Sequence, residues 1–383
     1  MKKLLFLILF LFLFLPFRES KAEVTCSGSN CSAIPAEYFL KLGDLDYALQ
    51  TQYVNQITNS MVEANIVTIV SSSFVGTGFT DDVEFGVVAG AGGVYKKSIT
   101  VRGGGYELPD LPNAGISFSP SAEAAFNLGW VVTQFRDNPA PAFLNDISLY
   151  FYFMDTKSGY ADFRSFYASK DKFEGSAATN KKGLTIRYRI LKSFTIFPFF
   201  LGFSGLNLGA GFSSLRNDVS LSHYDKPNPT VNFGPFVGTW DTRTNFGLHT
   251  KGLGTILDLR TGFDLFYFFT LVLGGGYSDV TSEVEINAKR AGPFEFKLSS
   301  YSNNASMFSP DAYKYFYDYS KQNETWIPGG FLSFDMRDKA KLKRGKPFGV
   351  VGLQFNLLFF HVLAEAYYLD KARAFNVGIK MGF

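Results

Sequence analysis

The chain has 383 residues, and its 37 Lys+Arg against 34 Asp+Glu give a formal net charge of +3, no footing for a nucleic-acid binder. Aromatic residues make up 17% of it, with 43 Phe and 37 Gly, a composition far from that of an ordinary soluble domain. Two cysteines and three scattered histidines (His223, His249, His361) do not assemble a metal site, and no cofactor is expected.

The chain opens with Lys2-Lys3 and an uncharged apolar run from Leu4 to Phe17, closed by small residues at Ser20 and Ala22. This order of regions predicts a secretory signal over residues 1–22, cleaved after Ala22. Its fourteen apolar residues fall short of the roughly 20 that a membrane-crossing helix needs. Cleavage removes more basic than acidic residues and leaves the mature chain close to neutral.

Residues 23–73 form the next unit. Export exposes Cys26 and Cys31 to an oxidising compartment, where such a pair forms a disulfide. From Ala36 to Ala64, Tyr38, Leu42, Leu45, Leu49, Tyr53, Ile57 and Met61 recur at helical spacing, with Gly43-Asp44 as a candidate break. This segment precedes the first convincing strand. It fills a barrel as a plug, lies on the periplasmic membrane surface, or joins subunits; the plug is the favoured reading, because wide barrels are not filled by their own side chains.

From residue 74 to 383 the period changes to two. Apolar residues alternate at Val83-Phe85-Val87, from Ile116 through Phe126 to Val132, at Ile147-Leu149-Phe151-Phe153, at Leu184-Ile186-Tyr188-Ile190, at Leu206-Leu208-Ala210-Phe212 and again toward the C-terminus. That recurrence is the mark of an all-β antiparallel transmembrane barrel, here of about twelve strands, alternatively fourteen. A soluble sandwich alternates too. Opposite the apolar stripes stand Glu84, Glu123, Arg187, Arg189, Asp258, Arg260, Glu365 and Lys380; if the stripes face lipid, these eight line the lumen.

Long connections are predicted over 158–182, 223–246 and 301–326, and short ones near Lys192-Ser193, Phe266-Tyr267, Leu358-Phe359 and 368–372. The stretch Arg337–Lys346 is read as a basic external loop. Tyr313, Tyr315, Tyr317 and Tyr319 sit in the last long connection, either as packing over the barrel mouth or as an external contact surface. No GxSxG elbow occurs, and Gly103-Gly104-Gly105 lacks the following Lys-Ser/Thr of a phosphate loop, so an enzyme is not expected.

At the C-terminus Phe375, Val377, Ile379, Met381 and Phe383 alternate with Asn376, Gly378, Lys380 and Gly382. This end resembles that of the bacterial outer-membrane barrel proteins, whose last strand and terminal aromatic form the barrel-insertion signal. The resemblance implies an outer-membrane location with surface-exposed loops, a periplasmic C-terminus, and the barrel-assembly machinery, outer-membrane lipid and lipopolysaccharide as partners. An N-terminal plug ahead of an aromatic-rich barrel is also loosely similar to the FadL-type carriers of hydrophobic compounds. That likeness implies a channel or carrier for passive uptake of a small, hydrophobic solute; the alternative is a non-transporting barrel whose long loops bind host or envelope partners. The oligomeric state is not legible.

Overall fold

A computed structural model describes residues 21–28, 31, 36–73, 76–80, 82–135, 140–158, 173–224, 230–233, 236–266, 268–298 and 327–383. Residues 1–20 of the signal segment predicted over 1–22, and Tyr313, Tyr315, Tyr317 and Tyr319, lie outside the described residues. Strands are β1 (Lys21–Ser27), β2 (Val83–Gly103), β3 (Tyr106–Phe118), β4 (Ser121–Asn127), β5 (Ile147–Ser158), β6 (Phe173–Leu191), β7 (Phe194–Phe197) and β8 (Leu201–Tyr224). They continue as β9 (Thr230–Phe233), β10 (Phe236–Trp240), β11 (Arg243–Leu265), β12 (Phe269–Leu298), β13 (Ile327–Leu357), β14 (Phe360–Leu369) and β15 (Ala372–Gly382).

All pairings are antiparallel, and β15 pairs with β2 from Ala372↔Val94 to Gly382↔Glu84, which closes the ring. Among the described residues, with β3 and β4 counted as one strand interrupted at Pro120, which has no N–H for the ladder, and β7 counted as the continuation of β6 along β8, ten strands complete the wall. The added strands β1, β9 and β10 raise the count to thirteen, so the expected twelve lies between. Side chains alternate as the period requires: Phe375, Val377 and Ile379 face outward, exposed by 42–55%, while Asn376, Gly378 and Lys380 between them are buried in the lumen. An outward band of Phe, Leu, Ile and Val circles the barrel. A closed ring with an apolar exterior and a polar interior has satisfied its backbone and is soluble only in a bilayer: this is an outer-membrane barrel.

The short turns at Leu358-Phe359 and around Phe266 lie at the same end as Phe383, whose N–H donates to the Val83 carbonyl. The long connections leave from the opposite end, which is therefore the outer one. Wall height is uneven. β14 and β15 have 10 and 11 residues, β12 and β13 have 30 and 31, and crossing the membrane takes about 9–11. Above Tyr277, β12 and β13 continue for about twenty residues, on the order of 70 Å of strand.

Inside runs the N-terminal segment: α1 (Ala36–Ala48), one π-helical turn (Leu49–Val54) and α2 (Asn55–Val70). It passes Gly43 without a break and extends six residues beyond the predicted Ala64. Other expectations are corrected as well, among them the long connection over 158–182, of which residues 173–182 are strand. The alternation expected to run to Val132 stops at Asn127, whose Oδ1 accepts from the Trp130 N–H at 3.1 Å and caps helix α3 (Leu128–Phe135). The basic external loop 337–346 is strand throughout, because its outward lysines find carboxylates on β12 while Ala340 and Leu342 turn inward.

Candidate functional site

The lumen is filled in two tiers. In the outer tier α2 packs Val62, Ile66, Val67, Ile69 and Val70, each at most 1% exposed, against Val94, Leu215, Ile256, Val280, Val284 and Val350 of the wall. A helix satisfies its own backbone, so its surroundings need supply only apolar volume. Glu63 on α2 is the clamp across the gap above β14 and β15: it pairs with Lys96 of β2 at 3.1 Å and with Arg344 of β13 at 3.4 Å.

Higher up, β14 and β15 end and leave the β2 and β13 edges open above their turn. Helical side chains cover both edges. Gln52 donates from Nε2 to the Arg102 carbonyl (3.2 Å) and accepts from the Arg102 N–H (3.1 Å), copying a strand partner, and Gln50 donates to the Arg337 carbonyl at 3.1 Å. Leu45, Leu49 and Tyr53 pack on Ile99, Val101, Leu108 and Leu111. Burial pushes the Asp46 carboxyl up to about 6.

In the inner tier α2 has ended and residues 71–73 and 76–80 descend as irregular chain, whose carbonyls have no helical partners. The wall provides them. Asn376 Nδ2 donates to the Ser71 carbonyl (2.5 Å), Arg260 Nη2 to Ser73 (2.8 Å), Arg260 Nη1 to Gly76 (3.2 Å), Asn207 Nδ2 to Thr77 (2.8 Å) and Ser148 Oγ to Thr80 (2.9 Å). Buried carbonyls without such donors are costly.

Around Arg260 the charges balance. Its Nε meets Asp258 Oδ2 at 2.8 Å, Nη1 meets Glu365 Oε1 at 2.6 Å, and Nη2 donates to the Tyr367 hydroxyl at 2.7 Å. Arg187 Nη2 reaches both oxygens of Asp258 at 2.8–2.9 Å. Room for these side chains comes from glycine. A Cβ on Gly209 would stand 2.3 Å from Asp258 Oδ1 and 2.8 Å from Arg187 Cζ, and one on Gly78 would be 2.6 Å from Arg187 Nη1. Nearby, Lys380 pairs with Glu123 at 2.9 Å and lies 3.9 Å from Glu84.

All eight residues predicted to face the lumen do point inward, and seven join one of two clusters: Arg187, Asp258, Arg260 and Glu365 in the first, Lys380, Glu123 and Glu84 in the second. Arg189 stands apart, its guanidinium 3.6 Å from the centre of the Phe79 ring. The first cluster is buried: Arg260 and Glu365 bond the backbone of the plug's tail, and Asp258, itself held by Arg187, fixes Arg260. Sequence reading passed over Tyr367 and Lys181, which donates to Ser121 Oγ at 2.9 Å. Tyr367 shares the inward parity of Glu365, a legible signal; Lys181 fell within a predicted loop. Cys26 and Cys31 form a disulfide. Phe375, Val377 and Ile379 lie on the outward face of the closing strand, Met381 is half-buried near its end, and Phe383 follows it, exposed.

The outer wall carries another charge pattern. On β12, Glu283 lies between Lys251 (3.1 Å) and Lys339 (2.9 Å), and Asp279 meets Lys343 at 3.2 Å. Partial burial works to raise the Glu283 carboxyl, but hydrogen bonds from Lys339 and Lys251 hold it below its ordinary range. Such pairs on the outward face belong in water, above the lipid.

The sequence profile of the Lsa36-like family matches residues 19–383. The chain belongs to the Lsa36-like family. No curated protein sequence matches it. Among solved structures it is similar to the translocator domain of the autotransporter NalP from Neisseria meningitidis, at 9% identity and TM-score 0.31 over 85% of this chain and 100% of that one. It is similar also to a FadL homologue from Pseudomonas aeruginosa (8% identity, TM-score 0.25, 85% of this chain and 98% of that one). A third is Ail, the attachment invasion locus protein of Yersinia pestis (10%, 0.20, 79% and 98%).

Proposed function

We propose that this Lsa36-like protein is a sealed barrel that serves as a surface platform, holding a tall β-wall and the N-terminal segment outside the cell to bind macromolecular partners. One observation carries the reading: both tiers of the lumen are packed, while β12 and β13 rise far above the apolar band. A wall of that height adds nothing to a membrane crossing. β1 extends it, pairing with β13 from Lys21↔Arg337 to Ser27↔Phe331, so the segment before α1 is displayed beside it. No catalytic role is proposed.

Transport remains the second reading, favoured by the fact that the plug is held by hydrogen bonds and ion pairs, which are reversible. Uptake of a small solute would require residues 71–80 to leave Arg260, Asn207 and Asn376 together.

Planar-bilayer conductance of the refolded chain, paired with partner binding by intact cells, separates the two. The platform reading expects an electrically silent wild-type barrel and binding that falls when surface proteolysis trims the outer wall. Steady wild-type conductance or solute uptake, with binding indifferent to trimming, would establish the carrier instead.

A further inference from the structure

Below the turn between β14 and β15 the lipid-facing wall is hollowed. A groove of about 940 Å³ runs over Ala91, Gly93, Ala114 and Ala366, is flanked by the larger Tyr95, Ile116, Tyr368 and Phe375, and reaches between the strands to Met61 of α2. Gly93 faces outward, and a Cβ added to it would meet only the Gly115 carbonyl, at 3.6 Å; the hollow is free volume on the membrane side. Lys371 and Arg373 form its outer rim. Arg373 is fixed there: its guanidinium lies 5.0 Å from the centre of the Tyr368 ring and donates to the Asp370 carbonyl at 2.9 Å.

The rim is continuous with the opening above β14 and β15. There Lys96, Arg344 and Lys346 turn inward and engage Glu63 and Asp370, which leaves Lys97, Lys371 and Arg373 as the cations on the outward side. An excess of cations thus stands at the outer boundary of the membrane directly above an apolar hollow. The occupant that matches both halves is an amphiphile with acyl chains and an anionic head.

We propose that this groove is a binding site for a phosphorylated glycolipid of the outer leaflet, with acyl chain against Gly93 and Ala366 and phosphate between Lys371 and Arg373. Tyr95, 78% exposed, stands at the head-group level, where its ring and hydroxyl meet apolar and wet surroundings together.

The test measures the lipid acyl chains retained after detergent washing by the full-length refolded barrel. The ligands are a diphosphorylated acyl-glucosamine disaccharide, the same lipid without its phosphates, and phosphatidylglycerol. A single phosphorylated glycolipid should stay bound, with the other two washed off. The pair Lys371→Glu and Arg373→Glu should weaken retention by about ten-fold or more. Gly93→Phe, which fills the hollow and leaves every charge in place, should abolish it. Lys341→Glu on the outer wall should change nothing, and a heat-dependent gel shift verifies that each variant is folded. Equal retention of phosphatidylglycerol, or retention unchanged in folded Gly93→Phe, would mean ordinary boundary lipid and overturn the site.

Discussion

The two tiers of the lumen solve one problem by opposite means. Around α2 the wall is apolar, because a helix brings its own hydrogen bonds and needs only packing. Around residues 71–80 the wall is polar and charged, because irregular chain does not. The charges in the inner tier are therefore a response to the plug's backbone, and a charged lumen is no evidence of a wet pore. Each variant below separates packing from carbonyl capture, in order of expected size.

Arg260→Ala should have the largest effect. It takes the cation from buried Glu365, leaves Asp258 with Arg187 alone and frees the Ser73 and Gly76 carbonyls, a loss of about 3–5 kcal/mol, seen as a lower midpoint of the heat-dependent gel shift. Conductance should appear with it; a silent, destabilised barrel would show that the inner tier does not gate the lumen. In the outer tier Ile69→Ala should cost a similar but smaller amount, about 2–4 kcal/mol, with the bilayer record still silent, since the tail stays gripped.

Gly209→Ala tests the room left for the ion pairs. Its Cβ cannot coexist with Asp258 and Arg187 as they stand, so about 1–3 kcal/mol should be lost; an unchanged unfolding midpoint would mean the network has slack. Glu63→Gln breaks the clamp between Lys96 and Arg344, and about 1 kcal/mol is expected, shrinking in high salt as for other partly exposed pairs.

Asp46 gives the smallest effect and a pH signature. Its folded pKa, about 6, lies above the ordinary carboxylate value of 3.8, so the fold favours the neutral form. Stability of the α1 region then falls as pH rises from about 4 to about 6 and levels off above. Asp46→Asn should remove that slope, measured as proteolysis of α1 at pH 4.5 and 7; an unaltered slope would assign it to another group.

Much of the wall was legible, because a two-residue period survives any uncertainty about neighbours: parity alone put Arg187, Asp258, Arg260 and Glu365 on the inner face. Their task was not. The carbonyls of Ser73 and Gly76 lie 187 and 184 residues from Arg260, and no local pattern links them. Counting turns back from Phe383 places Arg337–Lys346 outside correctly but does not show that it is strand: the count assumes walls that end near the membrane, and β13 runs on to Ile327. The end of β4 was missed because Leu128, Trp130 and Val132 keep the alternation that the Asn127 cap overrides. Helix α2 reaches Val70 through Ile66-Val67-Thr68-Ile69-Val70, apolar on all sides because it is surrounded, which hides its period.

The direction of the plug has a consequence for assembly. Its N-terminal end is tied to the outer wall through β1, and its tail runs into β2 at the periplasmic end, where β2 also forms the seam with β15. The finished ring encircles its own chain. Such a ring cannot be shut first and stoppered later without threading a disulfide-bearing segment through it, so the seam must close last, around a segment already lying in place. Tension applied to the outer segment in the mature protein would draw on the first and last strands together, the one joint on which the closure of the barrel depends.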